Sequence, residues 1–365
     1  MFEFDSNDTI WDVFFHCSVE LDYKARRIVL FFVYLVAFTV GLLVNSVVVW
    51  VNWQRRHSRS TDVFCTLNIC ISHLMVMTMM PIFLLEVMLD YVWVWGQFLC
   101  RFTTFIYEFN YYSTSFFLAY MSVERYLALA RASGGTASAR PPRQWGPAEK
   151  QRRLLICAGF WTFALLLTPL LVSNVQLVEY HSPGCYLAPE KDYVAWVVVI
   201  TMTSMIFQFL IPGGIIITCN WLTVQTLKKS PELQTSYNLN TNMFHFYSVA
   251  FVVCWLPYHL VNLLIMVDDL NPLILNCDST NSIYFSLNVL FSFTHLHYIA
   301  NPVLYNFLSP SFRRSLWRAV ARCVRKEATP IHVEDDVDGE GKYKPQNASV
   351  RKTSNASTSQ SDMAS

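Results

Sequence analysis

The chain has 365 residues, of which 53% are hydrophobic and only 15% are charged, whereas about 25% of the residues in an average soluble domain are charged. Its formal net charge is +1, so bulk charge gives no reason to expect a nucleic-acid partner. The composition argues against an ordinary soluble domain and predicts a protein embedded in a membrane.

The amino-terminal residues lack the basic start and short apolar core of a cleaved signal peptide, so the first apolar run is expected to act as the insertion signal. A helix needs about 20 apolar residues to cross the hydrocarbon core. Because lipid cannot hydrogen-bond the backbone, apolar runs of this length are predicted to be helices. The seven runs are Ile28–Trp53, Val63–Leu89, Phe98–Ala130, Leu154–Val172, Tyr193–Leu227, Met243–Val267 and Ile283–Phe307.

Basic residues are concentrated in the segments that follow the first, third, fifth and seventh runs. By the positive-inside rule these segments are cytoplasmic, which predicts an extracellular amino terminus and a cytoplasmic carboxyl terminus. The remaining segments are acidic. The basic residues that decide this orientation are Arg55, Arg56, Arg59, Arg131, Arg140, Arg143, Lys150, Arg152, Arg153, Lys228, Lys229 and those between Arg313 and Lys326.

After the seventh run the chain becomes first amphipathic and then polar. Phe312, Leu316, Val320 and Cys323 recur at helical spacing opposite arginines, which predicts a helix that lies along the inner leaflet. The polar end cannot bury enough apolar area to fold and is predicted to be disordered. The predicted domains are an extracellular segment, a seven-helix domain, an amphipathic helix 8 and a cytoplasmic tail, at 1–27, 28–309, 310–326 and 327–365.

Several residues are candidates for covalent modification. Asn7 begins the glycosylation sequon NDT, Cys323 lies beside basic residues where palmitoylation is expected, and Tyr23 next to Asp22 is a sulfation candidate. Phosphorylation of the tail would add negative charge suited to the basic groove of arrestin. The tail candidates are Thr353, Ser354, Ser357, Thr358, Ser359 and Ser361.

Ten cysteines are spread along the chain. Five lie within the apolar runs, where free cysteine behaves as a small hydrophobe. Four lie in segments assigned to the oxidising exterior, namely Cys17, Cys100, Cys185 and Cys277. An even number predicts two disulfide bridges there, but spacing does not choose among the three pairings.

Each of the seven runs carries or adjoins a short motif. Taken together and in order, the motifs resemble those of the rhodopsin-like (class A) G-protein-coupled receptors over residues 27–326. The resemblance implies an all-α bundle of seven transmembrane helices that acts as a plasma-membrane receptor without a cofactor. The motifs are GLLVN, which ends at Asn45, then LNICISHL, WGQFLC, ERY, Trp161, Pro212, CWLPYH and NPVLY.

A narrower resemblance is to the chemokine receptors, in which Cys17, Cys277 and Pro81 match characteristic positions. It implies the disulfides Cys100–Cys185 and Cys17–Cys277. The stretches LEVMLDYVWVWGQFLCRF, QLVE and YNFLSPSFR are similar to the atypical chemokine receptors and an orphan receptor related to them. A chemokine or peptide ligand is therefore expected, and an acidic exterior would speed its arrival if it is basic.

The ERY motif, Glu124–Arg125–Tyr126, ends the third run. Ionisable residues within a span are costly and are functional by default. The resemblance implies that Arg125 is held at rest and released to a transducer when helix 6 swings outward. Taken alone, Arg125 is better explained as a side chain that reaches to the membrane interface.

Helix 6 carries Phe251, Trp255 and Pro257. Proline removes a helical hydrogen bond and kinks the helix, which gives helix 6 a pivot with a large ring at its inner bend. An ordinary aromatic core explains the same residues, and both interpretations hold if that core has two packings. The resemblance implies a second hinge at Asn301, Pro302 and Tyr305.

A ligand pocket is expected, by position in the family, one or two turns from these hinges. Glu108 is a carboxylate within a span, which either anchors a basic group of the ligand or forms a helix–helix hydrogen bond as a neutral acid. Phe291 stands where chemokine receptors often carry an acid. The nominated residues are Tyr107, Glu108, Gln208, Tyr258, His259 and Phe291, with Glu86 as an alternative at the rim.

His73 stands where the family usually has an aspartate that helps to hold a sodium ion. Imidazole is a poor ligand for this hard cation, so no sodium effect is expected. The favoured interpretation is a neutral His73 that is hydrogen-bonded to Asn301 or Asn45. The remaining members of this degenerate sodium site are Asn45, Asn110, Thr114 and His297.

His73, His295 and His297 together also suggest an intramembrane metal enzyme. Residues two apart lie about 200° apart around a helix, so at most one of the last two is expected to share an interior site with His73. No carboxylate stands beside them at ligand spacing, and no inverted repeat favours a transporter. We expect no catalytic residue and no metal, and the enzyme and the transporter are remote alternatives.

Four positions depart from the pattern of signalling receptors. ERY continues as LALA, Asn220 replaces a tyrosine that steadies the active state in the family, no Lys or Arg lies between Ser230 and Ala250, and His73 replaces aspartate. The departures predict an atypical receptor that takes up its ligand and couples weakly to heterotrimeric G proteins. The alternative is a conventional signalling receptor for a peptide or chemokine.

Overall fold

A computed structural model describes residues 23–55, 61–133, 147–180, 182–232, 241–271 and 277–327. Several features predicted from the sequence fall outside these residues. They are Asn7, the Cys17–Cys277 bridge, the side chain of Tyr23, most of the amino-terminal segment, the cytoplasmic tail and its phosphorylation sites Thr353, Ser354, Ser357, Thr358, Ser359 and Ser361.

Helices account for most of the described chain, and each predicted apolar run corresponds to one of the first seven. The prediction of an all-α seven-helix bundle with an eighth helix is confirmed. The bounds are α1 Tyr23–Gln54, α2 Thr61–Met88, α3 Gly96–Ser133, α4 Pro147–Leu167 with Pro169–Val172, α5 Tyr193–Ser204 with Met205–Leu210 and Ile211–Lys229, α6 Thr241–Leu270, α7 Cys277–Thr294 with His297–Pro302 and Val303–Phe307, and α8 Pro310–Glu327.

Five of the described helices, α1, α2, α4, α5 and α6, are long and apolar enough by length and composition to cross a membrane. α3 falls short because it carries buried polar side chains such as Asn110, Ser113 and Thr114. These groups are tolerated because α3 packs against α2, α4 and α5. The first segment of α7, Cys277–Thr294, is long enough but falls short because it contains many polar residues, and the helix is interrupted after it.

Gly41 lies where α1 packs closely against α2 and α7. A Cβ atom at this position would lie 3.3 Å from Sδ of Met77 and 3.6 Å from Cβ of Tyr298. Small residues let helices approach closely in lipid, where van der Waals packing replaces the hydrophobic effect. Gly41 thus brings α7 to the side of α1 on which Asn45 lies, one turn further along.

A two-stranded antiparallel hairpin, β1 Val175–Tyr180 and β2 Ser182–Leu187, lies between α4 and α5. The apolar runs do not predict it. The disulfide Cys100–Cys185 joins β2 to α3, which is the pairing that the family resemblance implies. We call this end of the bundle the disulfide end and the opposite end, where α3 carries Arg125, the Arg125 end.

The beginning of α3 is shaped for this connection. Gly96 has φ of +75°, a left-handed conformation that glycine adopts without strain. Gln97 then contacts β1 twice, because its Nε2 donates to the carbonyl of Val175 at 3.1 Å and its Oε1 accepts from the N–H of Leu177 at 2.6 Å. The hairpin is therefore fixed by hydrogen bonds as well as by the disulfide.

Helix α8 begins after α7 at Pro310. Phe312 is buried and its ring lies 5.2 Å from that of Phe307, whereas Trp317 on the other side of the helix is 71% exposed. Of the four residues predicted to form the apolar face of helix 8, Phe312 is buried and Leu316 is half-buried, whereas Val320 and Cys323 are exposed. The bundle lies within a compact unit that ends at Val320, and a second unit begins at Ala321.

Candidate functional site

Arg125 is surrounded by groups from three other helices. Its Nε donates to Oδ1 of Asp62 on α2 at 2.8 Å. Its Cζ lies 5.0 Å from the ring centroid of Tyr247 on α6 and 5.2 Å from that of Tyr305 on α7. An arginine over an aromatic face is attracted by the ring quadrupole, so this side chain links α2, α3, α6 and α7.

The other residues of ERY do not hold Arg125 in this structure. Oε1 of Glu124 accepts from Nη1 and Nη2 of Arg152 on α4, at 3.2 Å each. Tyr126 is half-buried on α3. Glu124, the acid that precedes Arg125, therefore forms an ion pair that joins α3 to α4.

Tyr247 and Asn220 connect α6 to its neighbours at the Arg125 end. The rings of Tyr247 and Tyr305 stack at 4.3 Å, and the hydroxyl of Tyr247 donates to the carbonyl of Leu304 at 3.4 Å. Nδ2 of Asn220 on α5 donates to Oγ of Ser248 at 3.1 Å. These contacts between uncharged groups join α6 to α5 and α7 at the Arg125 end.

The predicted toggle on α6 lies in the centre of the bundle. Trp255 is buried, and its ring lies 4.8 Å from Tyr111 on α3 and 5.0 Å from His297 on α7. Phe251 lies one turn away, 6.5 Å from Trp255. Pro257 lies within the helix two residues beyond Trp255, so the ring stands next to the kink-forming position.

Asn45 supplies a hydrogen bond that Pro302 cannot. Proline has no N–H, so the carbonyl of Tyr298, one turn before Pro302, lacks its helical donor. Nδ2 of Asn45 donates to this carbonyl at 2.8 Å and to the carbonyl of Gly41 at 2.7 Å. Oδ1 of Asn45 is then left to accept from Nδ1 of His73 at 3.0 Å, so His73 carries its proton on Nδ1.

The other members of the degenerate sodium site are buried but only partly brought together. The ring of His297 lies 5.2 Å from that of His73. Asn110 instead donates from Nδ2 to Oγ of Ser72 at 2.8 Å. Thr114 and Asn301 are also buried, and Oγ1 of Thr114 and Nδ2 of Asn301 have no hydrogen-bond partner among the described residues.

His295 and His297 have different neighbours, in agreement with the expectation that at most one of them shares an interior site with His73: the ring of His297 lies beside that of His73, whereas the ring of His295 lies 5.0 Å from Tyr34 and 5.4 Å from Tyr107. Both are buried, and α7 is interrupted between Thr294 and His297. Nδ1 of His295 donates to the carbonyl of Phe291 at 2.8 Å, and Nδ1 of His297 donates to the carbonyl of Thr294. Across the described residues, no three side chains of His, Cys, Asp or Glu are grouped to hold a metal ion.

The nominated pocket residues lie towards the disulfide end. Oε2 of Glu108 accepts from Nε2 of the buried Gln208 on α5 at 2.8 Å, so this carboxyl forms the helix–helix hydrogen bond that was one of its two interpretations. Tyr107 is buried between Phe83, at 4.6 Å, and Phe291, at 6.4 Å, and its hydroxyl donates to Sδ of Met80.

The side of the pocket formed by α6 and α7 is aromatic. Tyr258 lies 5.8 Å from Phe291 and 5.3 Å from His259. His259 is buried against Phe209 of α5, at 5.3 Å. These rings leave the acidic side chains Glu86 and Glu108 on the opposite helices, α2 and α3.

Glu86 on α2 faces the hairpin. Burial raises the pKa of the Tyr186 phenol, and the nearby Glu86 carboxylate raises it further. The carboxylate also lies close enough to Tyr34 and Tyr107 to interact with both electrostatically. Glu86 thus lies within electrostatic range of tyrosines from α1, α3 and β2.

The sequence reasoning missed Asp62 and Tyr247, which complete the surroundings of Arg125. Asp62 carried a usable signal, since it is an acid in the first turn of α2, directly after the basic loop that contains Arg55. Tyr247 carried only its spacing from Phe251 and Trp255, four and eight residues away on one helical face.

Comparison with known proteins identifies a family and several relatives. A family model described as 7 transmembrane receptor (rhodopsin family) matches residues 44–305. The G-protein coupled receptor 182 of Homo sapiens is 36% identical over 323 residues, which cover 87% of this chain and 77% of that protein. The protein of the same name from Rattus norvegicus is 36% identical over 315 residues, 86% of this chain and 77% of its own length. Atypical chemokine receptor 3 of Mus musculus is 30% identical over 293 residues, 79% of this chain and 78% of that receptor.

Proposed function

The chain belongs to the rhodopsin family of seven-transmembrane receptors, and we propose that it is an atypical receptor that binds an extracellular chemokine or peptide, internalises it and couples weakly to G proteins. Membership makes it a multi-pass membrane receptor, and its family is not an enzyme family. The resemblance in the motifs is confirmed, and its relatives include receptors named for atypical chemokine binding.

The proposed orientation places the disulfide end outside the cell. Disulfides form and persist in oxidising compartments, which supports an external position for Cys100–Cys185. Arg55, Arg131 and Arg152 lie at the Arg125 end, in agreement with a cytoplasmic position for that end. The ligand then enters from the hairpin side.

The proposed ligand is basic, because the pocket offers carboxylates among aromatic rings. Glu86 and Glu108 lie on α2 and α3, and an aromatic surface that includes Tyr258 and Phe291 faces them. Carboxylates bind ammonium and guanidinium groups through charge-assisted hydrogen bonds, and aromatic faces add cation–π attraction. Because position 291 is a phenylalanine and not an acid, we propose that Glu86 binds the basic group of the ligand.

The observation that carries the proposal of weak coupling is the hydrogen bond from Asn220 to Ser248, at 3.1 Å. In the family, a tyrosine at this position steadies the active state. Asn220 has neither the length nor the hydroxyl for that task, and here it ties α5 to α6. The lack of Lys and Arg between Ser230 and Ala250 further weakens the basic surface that this part of α6 usually offers to a G protein.

A single cell experiment tests the proposal. Cells that express the full chain are exposed to a panel of labelled chemokines, and ligand uptake and G-protein dissociation are recorded in parallel. We expect uptake of at least one basic chemokine with little or no dissociation. Asn220→Tyr, compared with Asn220→Gln as a control that keeps an amide, is expected to increase dissociation without increasing uptake.

Robust G-protein dissociation by the unaltered chain with any bound ligand rejects the atypical receptor in favour of the conventional one. No binding to any member of the panel rejects the chemokine as ligand.

Arrestin is the proposed partner of the phosphorylated tail, glycosylation is proposed at Asn7, and palmitoylation is proposed at the exposed Cys323 of α8.

A further inference from the structure

Asp62 is the acidic partner of Arg125 within the described chain. The two side chains meet at 2.8 Å, with the arginine 14% exposed and the aspartate 41% exposed. A charge-assisted hydrogen bond of this length is stronger than a neutral one, and partial burial of the arginine reduces its screening by water and salt. The bond joins α3 to the first turn of α2.

The neighbouring acid Glu124 is engaged elsewhere. Its carboxylate lies 3.2 Å from Nη1 of Arg152, and the glutamate is 12% exposed against 44% for that arginine. Glu124 therefore pairs with Arg152 of α4, and Arg125 pairs with Asp62. Two adjacent residues of the same motif thus point to two different helices.

The first turn of α2 is itself anchored. Nη2 of Arg153 on α4 donates to Oγ1 of Thr61 at 2.6 Å, and its Cζ lies 5.7 Å from the ring of Phe64. Asp62 lies between these two contacts in the chain. A carboxylate on a fixed helix end positions its partner better than one on a loop.

Arg125 in turn contacts α6, so where it is held affects that helix. Its guanidinium carbon lies 5.0 Å from the ring of Tyr247, and that ring stacks on Tyr305 of α7 at 4.3 Å. An outward movement of α6 separates Tyr247 from both partners. The stability of the inward position thus depends on where Arg125 is held.

We propose that Asp62 is the positioning residue that holds Arg125 against Tyr247 and so keeps α6 in its inward position, while Glu124 has no part in this restraint. The inference rests on the proposed receptor function, in which α6 moves on activation. It adds a residue outside the ERY motif to the switch.

The test measures the position of α6 directly in the purified full chain in lipid nanodiscs. Spin labels are attached at two exposed sites, by His245→Cys on α6 and Gln151→Cys on α4, with the exposed Cys323 replaced by Ser. Pulsed electron paramagnetic resonance gives the distance between the labels. Asp62→Asn is expected to raise the population of the longer distance roughly fivefold, because a hydrogen bond to a charged group is lost.

Three further variants separate restraint from general stability. Glu124→Gln is expected to leave the distance distribution as it is in the labelled parent, and Asp62→Glu is expected to restore it. Tyr247→Leu removes the aromatic contact without changing Asp62, and it is expected to lengthen the distance even if Asp62→Asn fails to fold.

The inference is overturned if a folded Asp62→Asn protein keeps the parental distances and loses only thermal stability. It is also overturned if Glu124→Gln lengthens the distance as much as Asp62→Asn does, or if Tyr247→Leu does not lengthen it. The measurement needs no ligand and no transducer, so its failure with ligand uptake intact rejects the restraint alone, whereas a failure of uptake rejects the proposed function alone.

Discussion

At the scale of single residues, the contacts of Asn45 and His73 support the prediction that this chain binds no sodium ion at this position. Both hydrogens of the Asn45 amide are donated to carbonyls, and its oxygen accepts from His73. A sodium ion would therefore compete with an internal hydrogen bond for that oxygen and would meet imidazole in place of carboxylate. Oxygen ligands suit this hard cation, and imidazole does not.

We expect the melting temperature of the purified chain to be unchanged when about 150 mM choline is replaced by the same concentration of sodium. His73→Asp supplies a carboxylate at this position, so sodium is expected to raise the melting temperature of that variant by about 2 °C. His73→Asn is the uncharged control and is expected to show no response. A sodium response in the unaltered chain contradicts the prediction.

Glu86 and Glu108 differ in the groups that already surround their carboxyl groups. Glu108 accepts a hydrogen bond from Gln208, whereas Glu86 borders the hairpin near Tyr186. We expect Glu86→Gln to weaken uptake of a basic chemokine about tenfold, the loss of one charge-assisted contact, and Glu108→Gln to weaken it about twofold. Concentration dependence of uptake gives both values, and a larger effect at Glu108 would reverse the assignment.

At the scale of elements, the hairpin is attached to α3 by Gln97 as well as by the disulfide. Gln97→Ala removes both hydrogen bonds to β1 and is expected to lower the free energy of unfolding by about 1–2 kcal/mol. Gln97→Glu keeps the acceptor for the N–H of Leu177 and is expected to lose about half as much. Thermal unfolding of the purified variants with the disulfide intact measures both, and equal losses would assign the effect to the donor bond alone.

At the scale of the whole molecule, seven spans place the two termini on opposite faces of the membrane. An epitope tag before residue 1 is expected to be stained on intact cells, and a tag after residue 365 only after permeabilisation. Staining of both tags on intact cells would contradict the orientation and, with it, the external ligand site.

The sequence predicts the bundle because hydrocarbon thickness sets the length of each span. The runs that become α1 to α7 could therefore be located without neighbours, and ordered motifs supplied the family. Interhelical partners could not be located in this way: nothing in the chain alone brings Asp62 next to Arg125, or Gln208 next to Glu108. The hairpin was missed because its strands lie in a connecting segment outside the apolar runs.

The interruption of α7 limits predictions of side-chain direction that are made from helical periodicity. Helical periodicity assumes that the rotation per residue is constant, and the chain breaks this rule between Thr294 and His297. Hydrogen bonds there run from His295 to Ser292 and from Tyr298 to His295, one residue shorter than in an α-helix. Both histidines of this segment are buried.

That interruption also determines what the two imidazoles are for. A broken helix inside a bilayer exposes carbonyl oxygens that lipid cannot satisfy, and the rings of His295 and His297 cover those of Phe291 and Thr294. The imidazoles therefore donate to carbonyl oxygens at the interruption of the seventh helix, where Oγ1 of Thr294 also donates to the carbonyl of Phe291 at 2.6 Å. Replacing either histidine with leucine would remove the hydrogen bond to the backbone carbonyl at this interruption while keeping a side chain of similar volume in the core.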